Sequence, residues 1–87
     1  MARKYTADPR SLALGVELRA DMDARDISVT EMAGRIGVDR GTLGDWLGGQ
    51  RPMPIHAFWT LASELRVSSD DLVRRAEDRA RRDAGHI

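Results

Sequence analysis

The sequence predicts a small all-α protein of five helices, and three observations support this prediction. Apolar residues recur at helical spacing, glycine and proline divide the chain into short segments, and no stretch alternates as a strand does. The chain has 87 residues, of which 41% are hydrophobic and 32% are charged. This length and composition suit one compact domain and leave too little chain for two.

The first helix follows a basic N-terminal segment. Leu14, Leu18 and Met22 recur at four-residue spacing and mark one face of a helix. Before them, residues 1–10, which include Asp8-Pro9, are expected to form a flexible basic arm.

Two short helices come next, separated by a glycine turn. Ser28 is followed three residues later by Glu31, which is the spacing of a capping box, and this helix is expected to end at Gly37. Asp39 can cap the next helix, which stops at a pair of glycines. The connection through Gly37 and Val38 is too short for antiparallel packing and favours two helices that cross at a steep angle.

A connector rich in proline leads to the fourth helix and then to the fifth. Phe58 and Trp59 of the fourth helix are predicted to lie in the core, as is Trp46 of the third. Ser68 resembles the cap of a fifth helix that can continue into Arg81.

Several weak signals occur together in a consistent order. The residues concerned are Ile27-Ser28, Glu31-Met32-Ala33, Ile36-Gly37-Val38, Arg40, Thr42-Leu43, Trp46, Gly49, Leu61-Ala62, Leu65, Val67-Ser68 and Asp70-Asp71-Leu72. Over residues 14–73 this pattern resembles the lambda-repressor and Cro-like helix-turn-helix family of the xenobiotic-response-element type. The resemblance implies a compact five-helix helix-turn-helix domain at residues 11–76, with residues 77–87 as a C-terminal helix extension and tail.

The resemblance also implies that the third helix lies in the major groove of double-stranded DNA. The base-reading positions would be Arg40, Gly41, Thr42, Gly44 and Asp45. Arg40 can bond O6 and N7 of one guanine, and Asp45 can accept from N4 of a cytosine. The phosphate-binding positions would be Ser28, Val29, Arg19, Arg35, Gln50 and Arg51.

Proteins that resemble this chain bind a palindromic operator as homodimers, which places two recognition helices one DNA turn apart. The dimer contact is expected from the apolar residues near the end of the domain, which are Leu65, Val67, Leu72, Val73 and Ala76. Such a contact is small, so dimers are expected to form appreciably only on DNA. The function expected is that of a bacterial or phage repressor that acts by occlusion in the cytoplasm.

Some positions depart from the family pattern and keep an alternative open. Val29 stands where glutamine is frequent, and Arg66 stands where glycine is usual at a site that favours positive φ. A net charge of zero, Val29, and the two glycines and Asp45 of the third helix favour a helix-turn-helix fold used as a protein-interaction or antitoxin-like module. Arg40, Gln50, Arg51 and the basic N-terminal arm favour DNA binding.

Other classes of function are not expected from this sequence. Cysteine is absent, which removes disulfides and thiol chemistry and suits a reducing compartment. Asp21, Asp23 and Asp26 lack the glycine and terminal glutamate of a calcium loop, so no metal is predicted. No catalytic motif, cofactor site or membrane-spanning segment is apparent.

Overall fold

The computed structural model describes residues 5–85, which form five α-helices and no strand. The helices are α1 (Pro9–Ala24), α2 (Val29–Ile36), α3 (Arg40–Leu47), α4 (Ile55–Leu65) and α5 (Ser69–Ala84). The predicted all-α class and the order of five helices are confirmed. Residues 1–4 of the predicted arm and residues 86–87 of the predicted tail lie outside the described part of the chain. Among the described helices, none is both long and apolar enough to cross a membrane.

Polar side chains cap the starts of four helices. The capping residues are Asp8, Ser28, Asp39 and Ser68. Each accepts a hydrogen bond from a backbone N–H of the following first turn, which satisfies a donor that has no partner within the helix. The caps predicted at Ser28, Asp39 and Ser68 are therefore confirmed. The bond from the Ser11 N–H lowers the pKa of Asp8 below its ordinary value.

The first helix begins earlier than the sequence predicted. Pro9 lies in its first turn, where a missing N–H has no cost and a fixed φ is already helical. Pro9 and Arg10 therefore belong to α1 and not to the predicted arm. Ala7, just before the helix, is buried, so this part of the predicted arm packs against the domain.

The main core receives side chains from all five helices. Its largest fully buried members are Leu18, Met22, Met32, Leu43, Leu61, Leu65 and Leu72. Phe58 is also buried, and Trp46 packs partly buried against this core. The prediction that Trp59 lies in the core is wrong, because its side chain is 58% exposed. Trp59 follows Phe58 by one residue, which turns it about 100° round the helix onto the outer side with the exposed Ile55.

Helix α1 meets the end of α3 without any side chain between them. A Cβ atom placed on Gly15 would lie 2.2 Å from the carbonyl oxygen of Leu47 and 3.0 Å from its carbonyl carbon. Only glycine leaves room for this approach, which fixes where α3 sits on the rest of the domain.

The C-terminal half of α5 packs along α1. Ala13 of α1 and Ala76 and Ala80 of α5 form a second, smaller cluster of buried side chains. Helix α5 is continuous to Ala84, so the structure has no break at residue 77, where the sequence placed the start of an extension.

Ion pairs reinforce this contact between α1 and α5. Glu17 is buried and accepts a hydrogen bond from Nε of Arg79 at 2.5 Å. Arg75 donates to Asp21 at 2.6 Å and also lies 3.5 Å from the Glu17 carboxylate. The hydrogen bond to Asp21 raises the pKa of Arg75 above its ordinary value. These partners offset the cost of burying the Glu17 side chain.

Three of the side chains predicted to form a dimer contact lie inside the monomer, and that part of the prediction is corrected. Leu65 and Leu72 are fully buried, and Ala76 is 3% exposed. These apolar residues form part of the monomer's own core and not an exposed apolar surface. Val67 packs partly buried against that core, while Val73 is 42% exposed.

Arg66 ends α4 in the left-handed conformation, with φ 57° and ψ 41°. This is the conformation that the family resemblance implied for a position usually held by glycine. A side chain there costs roughly 1 to 2 kcal/mol, so this turn is strained relative to one that contains glycine.

Candidate nucleic-acid interface

A rigid turn joins α2 to α3. Helix α2 ends at Gly37 with φ 74°, and the Val38 N–H closes the turn by bonding to the Ala33 carbonyl at 3.0 Å. Asp39 then begins α3, and its carboxylate accepts from the N–H groups of Gly41 at 2.9 Å and Thr42 at 3.3 Å. Since each end of the turn is held by hydrogen bonds, the two helices have one defined crossing.

The inner side of this helix pair is apolar and packs into the core. Met32 and Ala33 of α2 and Leu43 and Leu47 of α3 are buried. The opposite side of α3 therefore points away from the domain.

The predicted base-reading residues lie on that outer side of α3. Arg40 and Gly41 are exposed, and Thr42, Gly44 and Asp45 are partly exposed. Gly44 has open space around it, since an added Cβ would meet nothing within 4 Å. The structure thus presents a short helix face whose largest free side chain is Arg40. Within the described residues Arg40 forms no ion pair.

The predicted phosphate-binding residues are in several different environments. Ser28 uses its hydroxyl to cap α2, and Val29 packs partly buried against the core. Arg19 is exposed on α1, outside the helix pair, and Gln50 is exposed just after α3. Arg35 is exposed but pairs with Glu31 of the same helix at 2.7 Å. The structure therefore brings only part of this predicted set to the helix pair.

The structure also shows a contact that sequence reasoning missed. Nε of Arg51, a predicted phosphate ligand, lies 3.2 Å from Oδ2 of Asp45, a predicted base reader. The pair of Arg35 with Glu31 could have been found from its four-residue spacing on one helix. The pair of Arg51 with Asp45 could not, because it depends on the path of the loop after α3.

A tight turn between two short helices, whose second helix turns a polar face outward, defines a helix-turn-helix protein. A family model described as a helix-turn-helix domain matches residues 13–76, and the chain belongs to this family.

A solved structure has the same fold. The crystal structure of the clp gene regulator ClgR from Corynebacterium glutamicum superposes with a TM-score of 0.84. The alignment covers 88% of this chain and 82% of that chain at 21% sequence identity, and likeness at this identity concerns the fold. A comparison with curated protein sequences gives no match.

Proposed function

We propose that this protein is a sequence-specific DNA-binding transcription regulator that places α3 in the major groove. The observation that carries the proposal is the outer face of α3, where exposed Arg40 stands beside Gly41 and the unobstructed Gly44. Small residues let the helix backbone come close to base edges. The Arg40 guanidinium, which has no ion pair among the described residues, is available to bond a guanine. The described role of ClgR as a gene regulator supports the same class of function.

We further propose a homodimer that represses by occluding a palindromic operator in the cytoplasm. One recognition helix reads only a few base pairs, whereas two helices about 34 to 36 Å apart read two half-sites. Because Leu65, Leu72 and Ala76 are buried, the dimer contact must use other surface. Of the residues expected from the sequence, the exposed Val73 and the partly buried Val67 remain for it. A contact of this size favours assembly on DNA over assembly in free solution.

A second candidate function is a protein-interaction or antitoxin-like module, and the charge distribution favours it. The net charge of the chain is zero, and both Arg35 and Arg51 are already paired with carboxylates. Such a surface attracts a polyanion weakly.

Selection of bound sequences from a random duplex pool, at a stated salt concentration, separates the two functions. For the regulator we expect an enriched motif with two-fold symmetry. Enrichment of an asymmetric half-site would retain DNA reading but contradict the homodimer. No enrichment over bulk DNA, even at low salt, would favour the interaction module.

Arg40→Ala should weaken binding to the enriched sequence by about 1 to 3 kcal/mol, because a bidentate contact to guanine is lost. The preference for that guanine should relax, while affinity for random duplex barely changes. Competition binding with operator variants measures both effects. Arg74→Ala, which removes an exposed arginine from α5, is the matched control and should leave the ranking intact. An unchanged ranking in Arg40→Ala would show that α3 does not read DNA as proposed.

Gly44→Ala should change the stability of the domain and its DNA affinity in opposite directions. Alanine is better than glycine in a helix interior by about 0.5 to 1 kcal/mol, so the melting temperature should rise. DNA affinity should fall, since the added methyl group occupies space between α3 and the bases. Gly34→Ala on α2 is the control, because its Cβ would also meet nothing within 4 Å. It should stabilise the domain equally and leave DNA affinity intact; equal affinities in both variants would contradict close approach at Gly44.

A further inference from the structure

Two independent contacts hold Arg51 beside Asp45. The side chains meet at 3.2 Å between Nε and Oδ2. The backbone carbonyl of Asp45 also accepts hydrogen bonds from the N–H groups of Gln50 at 2.8 Å and Arg51 at 3.3 Å. The loop after α3 is therefore folded back onto the residue whose carboxylate faces the guanidinium.

This pair belongs to a charge pattern that covers the whole helix pair. Residues 28–51 contain three acidic and three basic side chains. Glu31 pairs with Arg35, and the Asp39 carboxylate accepts two backbone hydrogen bonds as a cap. With these pairs formed, residues 28–51 have little net attraction for phosphate. The DNA affinity of the helix pair therefore depends on which of the ion pairs DNA can break.

The pair of Asp45 with Arg51 is open to solvent and easily exchanged. Its side chains are 36% and 60% exposed, so the interaction is weak enough for a competing ligand to replace it. Asp45 lies on the outer side of α3 with the predicted base readers, while Arg51 lies in the following loop. With α3 in the major groove, Asp45 would therefore face the bases, and Arg51 would lie beside a phosphate.

We propose that Asp45 and Arg51 form an exchange pair that makes the phosphate contact of Arg51 conditional on the base facing Asp45. This inference rests on the proposed DNA-binding function. A cytosine N4 or adenine N6 amino group in the major groove donates to the carboxylate and draws it from Arg51, which is then free to bind a phosphate. Where the single base that faces Asp45 presents only acceptors, as guanine does, the carboxylate stays on Arg51 and neutralises it. Asp45 thereby determines specificity by suppressing binding to the wrong sequence.

The test compares Asp45→Asn with Glu64→Gln. Both changes remove one negative charge, but Glu64 is exposed on α4 and has no ion pair among the described residues. Affinities are measured over a range of salt concentrations for a duplex of random sequence and for the enriched duplex. On random duplex at low salt, Asp45→Asn should bind about two- to fivefold more tightly than Glu64→Gln. Its salt slope should steepen by about 0.9, which corresponds to one added phosphate contact. The ratio of enriched to random affinity should fall.

The same comparison in an Arg51→Ala background isolates the exchange. Without Arg51, Asp45→Asn should behave as Glu64→Gln does, with the same salt slope. If Asp45→Asn still raised the affinity for random duplex in the absence of Arg51, the cause would be direct repulsion between Asp45 and phosphate, and the exchange would be overturned. Equal behaviour of the two variants with Arg51 present would also overturn it while leaving the proposed function intact. Failure of every variant, and of the wild type, to bind any duplex would overturn the proposed function itself.

Discussion

Gly15→Ala should destabilise the domain by about 3 kcal/mol or more, the upper end of what overpacking costs. The new methyl carbon would stand 2.2 Å from the carbonyl oxygen of Leu47, and its three nearest neighbours are all backbone atoms of that residue. No change of rotamer can relieve such a contact, so α1 must move away from α3 and open the core between them. Urea unfolding of the purified variant measures the loss.

Gly34→Ala is the control for this substitution. It makes the same chemical change on α2, where the added carbon meets nothing within 4 Å, and it should raise stability slightly. The same substitution should therefore lower the free energy of unfolding at Gly15 and raise it at Gly34. A Gly15→Ala variant as stable as the wild type would show that α1 and α3 do not approach this closely.

The double variant Arg75→Ala with Arg79→Ala should lose about 3 to 5 kcal/mol. The Glu17 side chain is only 8% exposed, and both of its cationic partners would be gone. A buried carboxylate without a partner must either stay charged at high cost or bind a proton. Thermal and urea unfolding at neutral pH measure the effect.

A second double variant, Arg74→Ala with Arg81→Ala, supplies the matched control. It removes two arginines from the same helix, but these pair with exposed Asp71 and Asp78 three residues away. Exposed pairs contribute about 0 to 1 kcal/mol each, so this variant should stay close to wild-type stability. Similar losses in the two double variants would mean that the arginines act through helix propensity or net charge and not through Glu17.

Features encoded locally were predictable from the sequence. The caps at Ser28, Asp39 and Ser68 depend on residues within one helical turn, and all three lie where the sequence placed them. The left-handed conformation of Arg66 was implied by the family resemblance, in which glycine is usual at this position. The helix-turn-helix itself is made of such local features, which is why it could be identified.

Features that depend on packing between distant segments were not predictable. Trp59 is apolar and lies at core-like spacing, yet the described residues leave its side chain 58% exposed. Leu65 and Leu72 were expected to form a dimer contact, but in the structure both are buried in the main core. For the candidate site, exposure of the outer α3 face followed from periodicity, whereas the pairing of Asp45 with Arg51 required the path of a loop.

We propose that the folding unit extends through Ala84, because Ala80 is buried against α1.

The contact between α1 and α5 also bears on the order in which the domain assembles. It joins Arg79 to Glu17, which are 62 positions apart, whereas the crossing of α2 and α3 involves neighbours in the chain. Short-range contacts close small loops at little entropic cost and form early, while a contact of this separation must wait for the intervening chain to become compact. During synthesis, the helix pair can therefore take shape before residues 75–80 have left the ribosome. We therefore expect the surroundings of Glu17 to be completed after the crossing of α2 and α3, so that the first helix of the domain depends for its final packing on the last one.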